Sequence, residues 1–344
     1  MARTIEAYAT YHRKKELLTD HLQVATAGLS LLKRNIQTSN APVLLGSLVD
    51  ACSVDHWGKG KHYKNADEKV DFALASLAEQ GIIQHVAAFD LFTRNLVQDI
   101  VRFSSRARAT LPHCNHDHQL LRLSPAHRWV SNHCCHDLSG KLDTLSKRLD
   151  ELKLWLGWRP SAKLAVTLPL FDLIRSIRNR IAHDDGMIGS DLQKLAASEE
   201  VKTAFAMFRA EYAKRDLPVL PAFKRGQRLN MKTVHAILFG AFLYEIAKEL
   251  NVHATTLLND EEYIDMAFYY SCVVEEHPFR TRRHRSAANR IAYFLAERYW
   301  RDRVAPGTSA IRNRLDGEAL VDITQPEFNT SYWKVALSRH QELL

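Results

Sequence analysis

"IRSIRNRIAHDDG", residues 174–186, carries apolar side chains at Ile174, Ile177 and Ile181 and polar ones over most of the remainder. With Leu170 ahead of them, these isoleucines recur every three or four residues. They share one narrow sector of a helical wheel turning about 100° per residue. The spacing predicts a helix that opens at Pro169, a residue suited to a first helical turn, and closes near Gly186, suited to a C-terminal cap. The polar side holds Arg175, Arg178, Asn179, Arg180 and His183. Arg178 lies on the flank of the apolar stripe, while Arg175 and Asn179 lie further toward solvent. His183 comes five residues after Arg178, which rotates it by roughly 140° and displaces it by about 7.5 Å. A regular helix therefore does not focus both side chains on one atom. Either the helix ends or unwinds near His183, or a second copy of the chain supplies the missing group across a two-fold axis.

The same period recurs along the chain. Residues 4–37 place Leu17, Leu18, Leu22, Val24, Leu29, Leu32 and Ile36 on one expected face. Residues 68–104 predict the strongest long helix, with Ile82, Val86, Phe89, Thr93, Leu96, Ile100 and Phe103 aligned and a break expected near Gly81. Further helices are expected over 139–157, 198–215, 231–250, 259–275 and 283–302. Residues 105–137 read as irregular, with Pro112 and Pro125. Strand-like alternation is nearly absent, and glycine (13) and proline (10) are scarce, so the expected class is all-α. A chain of 344 residues exceeds one typical domain. The expected division is an N-terminal helical region and linker (1–68), a central helical domain (69–216) and a C-terminal helical domain (217–344). Pro218, Pro221 and Gly226 mark the boundary between the last two.

Lys and Arg total 47 against 39 acids, a net charge of +8 that is compatible with a polyanionic partner without requiring one. The N-terminus lacks the apolar core of a secretory signal, and "AILFGAFLY" (236–244) is too short to span a bilayer. Five irregularly spaced cysteines argue against a disulfide framework. These features are read as a cytoplasmic protein without a membrane partner.

Arg178-Asn179-Arg180-Ile181-Ala182-His183 resembles the signature of the HEPN superfamily: an arginine, four to six residues, then a histidine, often with a polar residue directly after the arginine. Arg178 has the permitted spacing; Arg175 is too far from His183 and Arg180 too near. The resemblance covers roughly residues 69–200 and implies a helical bundle with the motif at the end of a late helix. Asp90, on the long earlier helix, resembles the family's acidic residue. The resemblance also implies a metal-independent endoribonuclease with Arg178, Asn179 and His183 as its catalytic residues. By the same resemblance the chain acts on an RNA substrate as a homodimer with facing motifs. The implied setting is prokaryotic antiphage defence or a toxin system, with a regulatory protein partner.

The residue types suit that chemistry. Histidine titrates near neutral pH and serves proton transfer, and arginine meets two phosphate oxygens with its planar fork. Asp184 and Asp185 either hold His183 or stand exposed. Arg175 and Arg180 are expected to contact RNA, as are Arg283, Arg290 and Arg301 in the arginine-rich segment 277–303, where Tyr299 and Trp300 offer stacking surfaces. Histidines and cysteines at 113–118 and 133–136 are zinc-ligand types that could close a four-coordinate site. Their spacing lacks a Cys-x-x-Cys pair, so no metal and no cofactor is assigned; elemental analysis would decide. Two other readings stand beside the nuclease. One is a catalytically silent HEPN-like module that binds RNA or protein; the other is a helical structural subunit of a nucleoprotein complex.

Overall fold

The computed structural model describes residues 3–38, 41–52, 65–110, 120–122, 128–130, 144–212, 219–270, 287–299, 309–311 and 313. In chain order its helices are α1 (Glu6–Thr38), α2 (Ala41–Cys52), α3 (Ala66–Phe103), α4 (Ser105–Thr110), α5 (Leu145–Leu156), α6 (Ala162–Thr167), α7 (Pro169–His183), α8 (Ser190–Ala197), α9 (Glu199–Tyr212), α10 (Thr233–Thr255), α11 (Asp260–Phe268) and α12 (Ala287–Phe294). A π-helical turn, Leu295–Tyr299, extends α12. Within the stretch expected to be irregular, Leu120–Arg122 and Arg128–Val130 pair as a short antiparallel ladder, β1 and β2. The class is all-α, as the 3.6-residue periods require. No helix among the described residues is long and apolar enough to cross a membrane.

Helix boundaries are set by local chemistry. Thr144 and Ser161 cap α5 and α6 by accepting the N–H groups of Lys147 and Leu164. Asn259 and Glu262 form a reciprocal capping box at the start of α11. Gly157, at φ 59°, ends α5 in the left-handed conformation. Pro169 occupies the first turn of α7, as expected.

The helices group into two compact units that interleave along the chain. The first draws on Met1–His12, Asp90–Arg159 and Ala247–Leu344, so far as these are described. The second draws on Arg13–Phe89 and Pro160–Ile246. This differs from three consecutive regions divided at residues 68 and 216. The reason is helix length: α1, α3 and α10 each run from one unit into the other. The prolines and glycine expected to mark a boundary fall around a stretch, 219–230, that belongs to the second unit.

In the first unit the start of α1 is anchored by buried polar groups. Asp99 accepts the Ala7 N–H at 2.8 Å and pairs with the Tyr270 hydroxyl. Asn251 accepts the Ile5 N–H at 3.0 Å. Glu6 is bound by Arg298 (2.5 Å), Tyr299 (2.7 Å) and Thr10 (2.7 Å). Asp99 and Asn251 thereby satisfy N–H groups that a helix start leaves open, while the donors around Glu6 neutralise its buried carboxylate.

In the second unit α1, α3 and α10 meet closely at Gly81. A Cβ there would lie 2.8 Å from Leu22 Cδ2 and 3.1 Å from the Ala236 Cβ. Gly81 therefore does not break α3, which runs unbroken through it; its missing side chain is what lets three helices approach. The expected α3 face is buried at all of its positions, Ile82 to Phe103. The expected α1 face is only partly so. Leu22 and Ile36 are buried, but Leu17 and Val24 are 70 % and 73 % exposed. They lie roughly 140° and 160° round the helix from Leu22, outside the packed sector.

Candidate active site

α7 belongs to the second unit and is held by its apolar face. Leu170, Phe171, Leu173, Ile174 and Ile177 are buried, and Phe171 packs edge-on against Phe89 of α3 at 6.1 Å between ring centroids. Ile181, expected to complete the core stripe, is only half-buried, because the helix leaves the core as it nears its end.

The polar residues divide by role. Arg178 is half-buried and donates from Nη1 to Asn179 Oδ1 at 3.1 Å; its Nε is shielded from water and makes no hydrogen bond. Asn179 and His183 are exposed, and His183 is the last residue of α7. Arg175 pairs with Asp172 at 3.2 Å. Arg180 pairs with Asp184 at 2.8 Å and lies against Gly189, where a Cβ would fall 2.7 Å from Nη2. Arg180 therefore braces the helix end. Because α7 stays helical to His183, the roughly 140° between Arg178 and His183 persists. The helix does not unwind to bring them together.

The turn after His183 is tightly built. Both Asp184 and Gly186 donate their N–H to the Arg180 carbonyl, at 3.0 and 2.9 Å. Asp185 (φ 49°) and Gly186 (φ 71°) adopt left-handed backbone, which turns the chain off the axis at the expected cap. Met187 then forms an antiparallel bridge with Arg228. Arg228 reaches Glu79 of α3 at 3.1 Å and Asp185 at 3.5 Å. Asp184 and Asp185 are thus exposed and paired with arginines rather than set to hold His183.

Asp90 is engaged elsewhere. It pairs with the fully buried Arg148 and with Arg94 at 3.1 Å, and Arg148 also donates to Thr93 Oγ1 at 3.2 Å. A buried guanidinium without such partners would be strongly destabilising. The α3 acid beside the motif's end is Glu79, which sequence reasoning missed along with Arg228. No periodic or spacing signal joins residues so distant in the chain. Of the arginine-rich segment, Arg290 lies in α12, while Arg283, Arg301 and Trp300 lie outside the described residues, as do the His/Cys clusters at 113–118 and 133–136. Tyr299 is fully buried with its hydroxyl on Glu6, so it offers no stacking surface. Among the described residues no group of three or more His, Cys, Asp or Glu is placed to hold a metal ion.

The fold thus defines an all-α protein in which a half-buried Arg178 and the exposed Asn179 and His183 stand on a braced helix end. No family model matches the chain, nor does any curated protein or solved structure.

Proposed function

We propose that the chain is a metal-independent endoribonuclease of the HEPN type, acting in the cytoplasm on RNA. The observation that supports this reading best is the placement of Arg178, Asn179 and His183. They sit at the free end of an amphipathic helix whose opposite face is locked into the core. The reaction draws its nucleophile from RNA. A base takes the 2′-hydroxyl proton, the O2′–P bond forms, the P–O5′ bond breaks, and the departing O5′ takes a proton. The products are a 2′,3′-cyclic phosphate and a 5′-hydroxyl. His183 carries proton transfer, and Arg178 holds the charge that builds on the phosphoryl oxygens. Asn179, hydrogen-bonded to Arg178, orients its fork.

Since Arg178 and His183 do not share a face, a complete site takes Arg178 from one copy and His183 from another across a two-fold axis. By its resemblance, such a dimer serves antiphage defence or a toxin system under a regulatory protein partner. The test is RNA cleavage by purified protein in EDTA. Wild type is expected to cut. Arg178→Ala should lose roughly 10²–10³-fold and His183→Ala roughly 10²–10⁴-fold, with folding unchanged. Binding without cutting would instead favour the silent RNA-binding module.

A further inference from the structure

We propose that Phe72, Lys224 and Arg225 form a docking surface for single-stranded RNA beside the end of α7; the choice of RNA as ligand rests on the ribonuclease reading. Residues 219–232, "VLPAFKRGQRLNMK", hold four cations and no acid. The backbone makes this segment rigid. Gln227 donates to the Lys224 carbonyl at 3.1 Å, closing a turn with Gly226 at φ 78° in the third position, as a type II turn requires. The turn is laddered to the loop after His183. Ile188 donates to Gln227 and Gly226 to Ile188, both at 2.9 Å, and Leu229 donates to Gly186 at 2.8 Å.

The charge on this turn is unspent. Arg228 is matched by Glu79 and Asp185. Lys224 and Arg225 are exposed, and among the described residues neither pairs with an acid. Phe72 lies on α3, seven residues before Glu79, and is 60 % exposed. The Arg228 guanidinium sits 5.9 Å from its ring centroid. Arg228 thereby ties the aromatic face to the cationic turn.

Free cations on a turn whose next residue, Arg228, reaches an exposed ring are a combination suited to unpaired strands: the cations track phosphates and the ring stacks on a base. A duplex keeps its bases stacked on one another and offers Phe72 nothing to stack on. The turn lies along the loop that begins directly after His183.

The test uses the full-length protein and a 2′-O-methyl oligoribonucleotide, which lacks the 2′-hydroxyl and survives the nuclease. Fluorescence anisotropy is read across a salt series for wild type, Phe72→Ser, and the double variant Lys224→Ser/Arg225→Ser. All three positions are exposed, so unchanged circular dichroism melting certifies the fold. Phe72→Ser is expected to weaken single-strand binding roughly 5- to 100-fold and to leave duplex binding unchanged. The double variant is expected to reduce the slope of log affinity against log salt by about 1.4. Wild-type affinity in both variants, preference for duplex, or no binding by wild type would each overturn the proposal. Cleavage of ordinary RNA is read separately. Cutting by the wild type with variant affinities unchanged removes this surface and leaves the nuclease. Variant-sensitive binding without cutting removes the nuclease and leaves the surface.

Discussion

Glu79 and Arg228, 149 residues apart in the chain, meet at 3.1 Å and so fasten α3 to the loop that carries the backbone away from His183. Glu79 is buried, and Arg228 also reaches Asp185, which stands in left-handed backbone one residue past the helix cap. Glu79→Gln keeps the shape and removes the charge. It should cost about 1 kcal/mol, a modest figure because Arg228 is partly solvent-screened. The informative readout is local: amide hydrogen exchange should rise at Gly226, Ile188 and Leu229, whose N–H groups form the ladder. Unchanged protection there would mean the ladder stands without the ion pair.

Gly81 makes an opposite prediction to its sequence reading as a helix break. Gly→Ala in a helix ordinarily stabilises by up to about 1 kcal/mol. Here the new Cβ would press on Leu22 and on Ala236. Gly81→Ala is therefore expected to destabilise by about 1–3 kcal/mol in denaturant unfolding, and a stabilised variant would refute the three-helix contact.

Two buried groups should give stability opposite pH slopes. His85 is fully buried, neither ring nitrogen has a hydrogen-bond partner, and a Cβ on Gly240 would lie 2.6 Å from its Cε1. Burial, aided by the Lys15 ammonium, lowers its pKa from 6.5 to about 4. The unfolded chain takes up this proton first. Its contribution is complete above pH 6.5 and drains as pH falls toward 4, on the order of 3 kcal/mol in all. Asp99 runs the other way. Burial, with help from the Glu6 carboxylate, raises its pKa from 3.8 to about 7, against the Tyr270 hydroxyl, Arg102 and the Ala7 N–H. The folded chain holds this proton, so its stabilisation is present at low pH and is lost as pH rises through 7. Because the two windows nearly coincide, the slopes offset each other in the wild type; in urea unfolding between pH 4 and 7, His85→Leu should make stability fall as pH rises, and Asp99→Asn should make it rise. Slopes identical to wild type would remove both assignments.

The geometry of α7 makes a mixing prediction. If Arg178 and His183 work from different copies, Arg178→Ala and His183→Ala are each inactive alone. A mixture, allowed to exchange subunits, rebuilds one intact site in each mixed dimer. Activity should recover to roughly a quarter of wild type, since about half of randomly paired dimers are mixed and each holds one site of two. No recovery despite exchange would place both groups in a single copy.

The helices were legible because apolar side chains repeat at the helical period, and the α3 face from Ile82 to Phe103 is buried along its expected length. The misreadings share a cause: periodicity records what one helix can bury, not what approaches it. Leu17 and Val24 are apolar but face outward, and Tyr299 is aromatic but sealed onto Glu6. Gly81 marks a contact with two other helices rather than a break. The motif residues and the cap at Gly186 could be read locally. Their brace, Arg228 on Glu79, could not, because only the tertiary fold brings those two together.

The most direct measurement is the chemistry of the cut ends. RNA incubated with the protein in EDTA should yield fragments ending in 2′,3′-cyclic phosphate and beginning with 5′-hydroxyl, and folded His183→Ala should yield none above background. Undiminished cutting by His183→Ala, or 5′-phosphate ends from the wild type, would contradict the assignment of α7 as the catalytic edge.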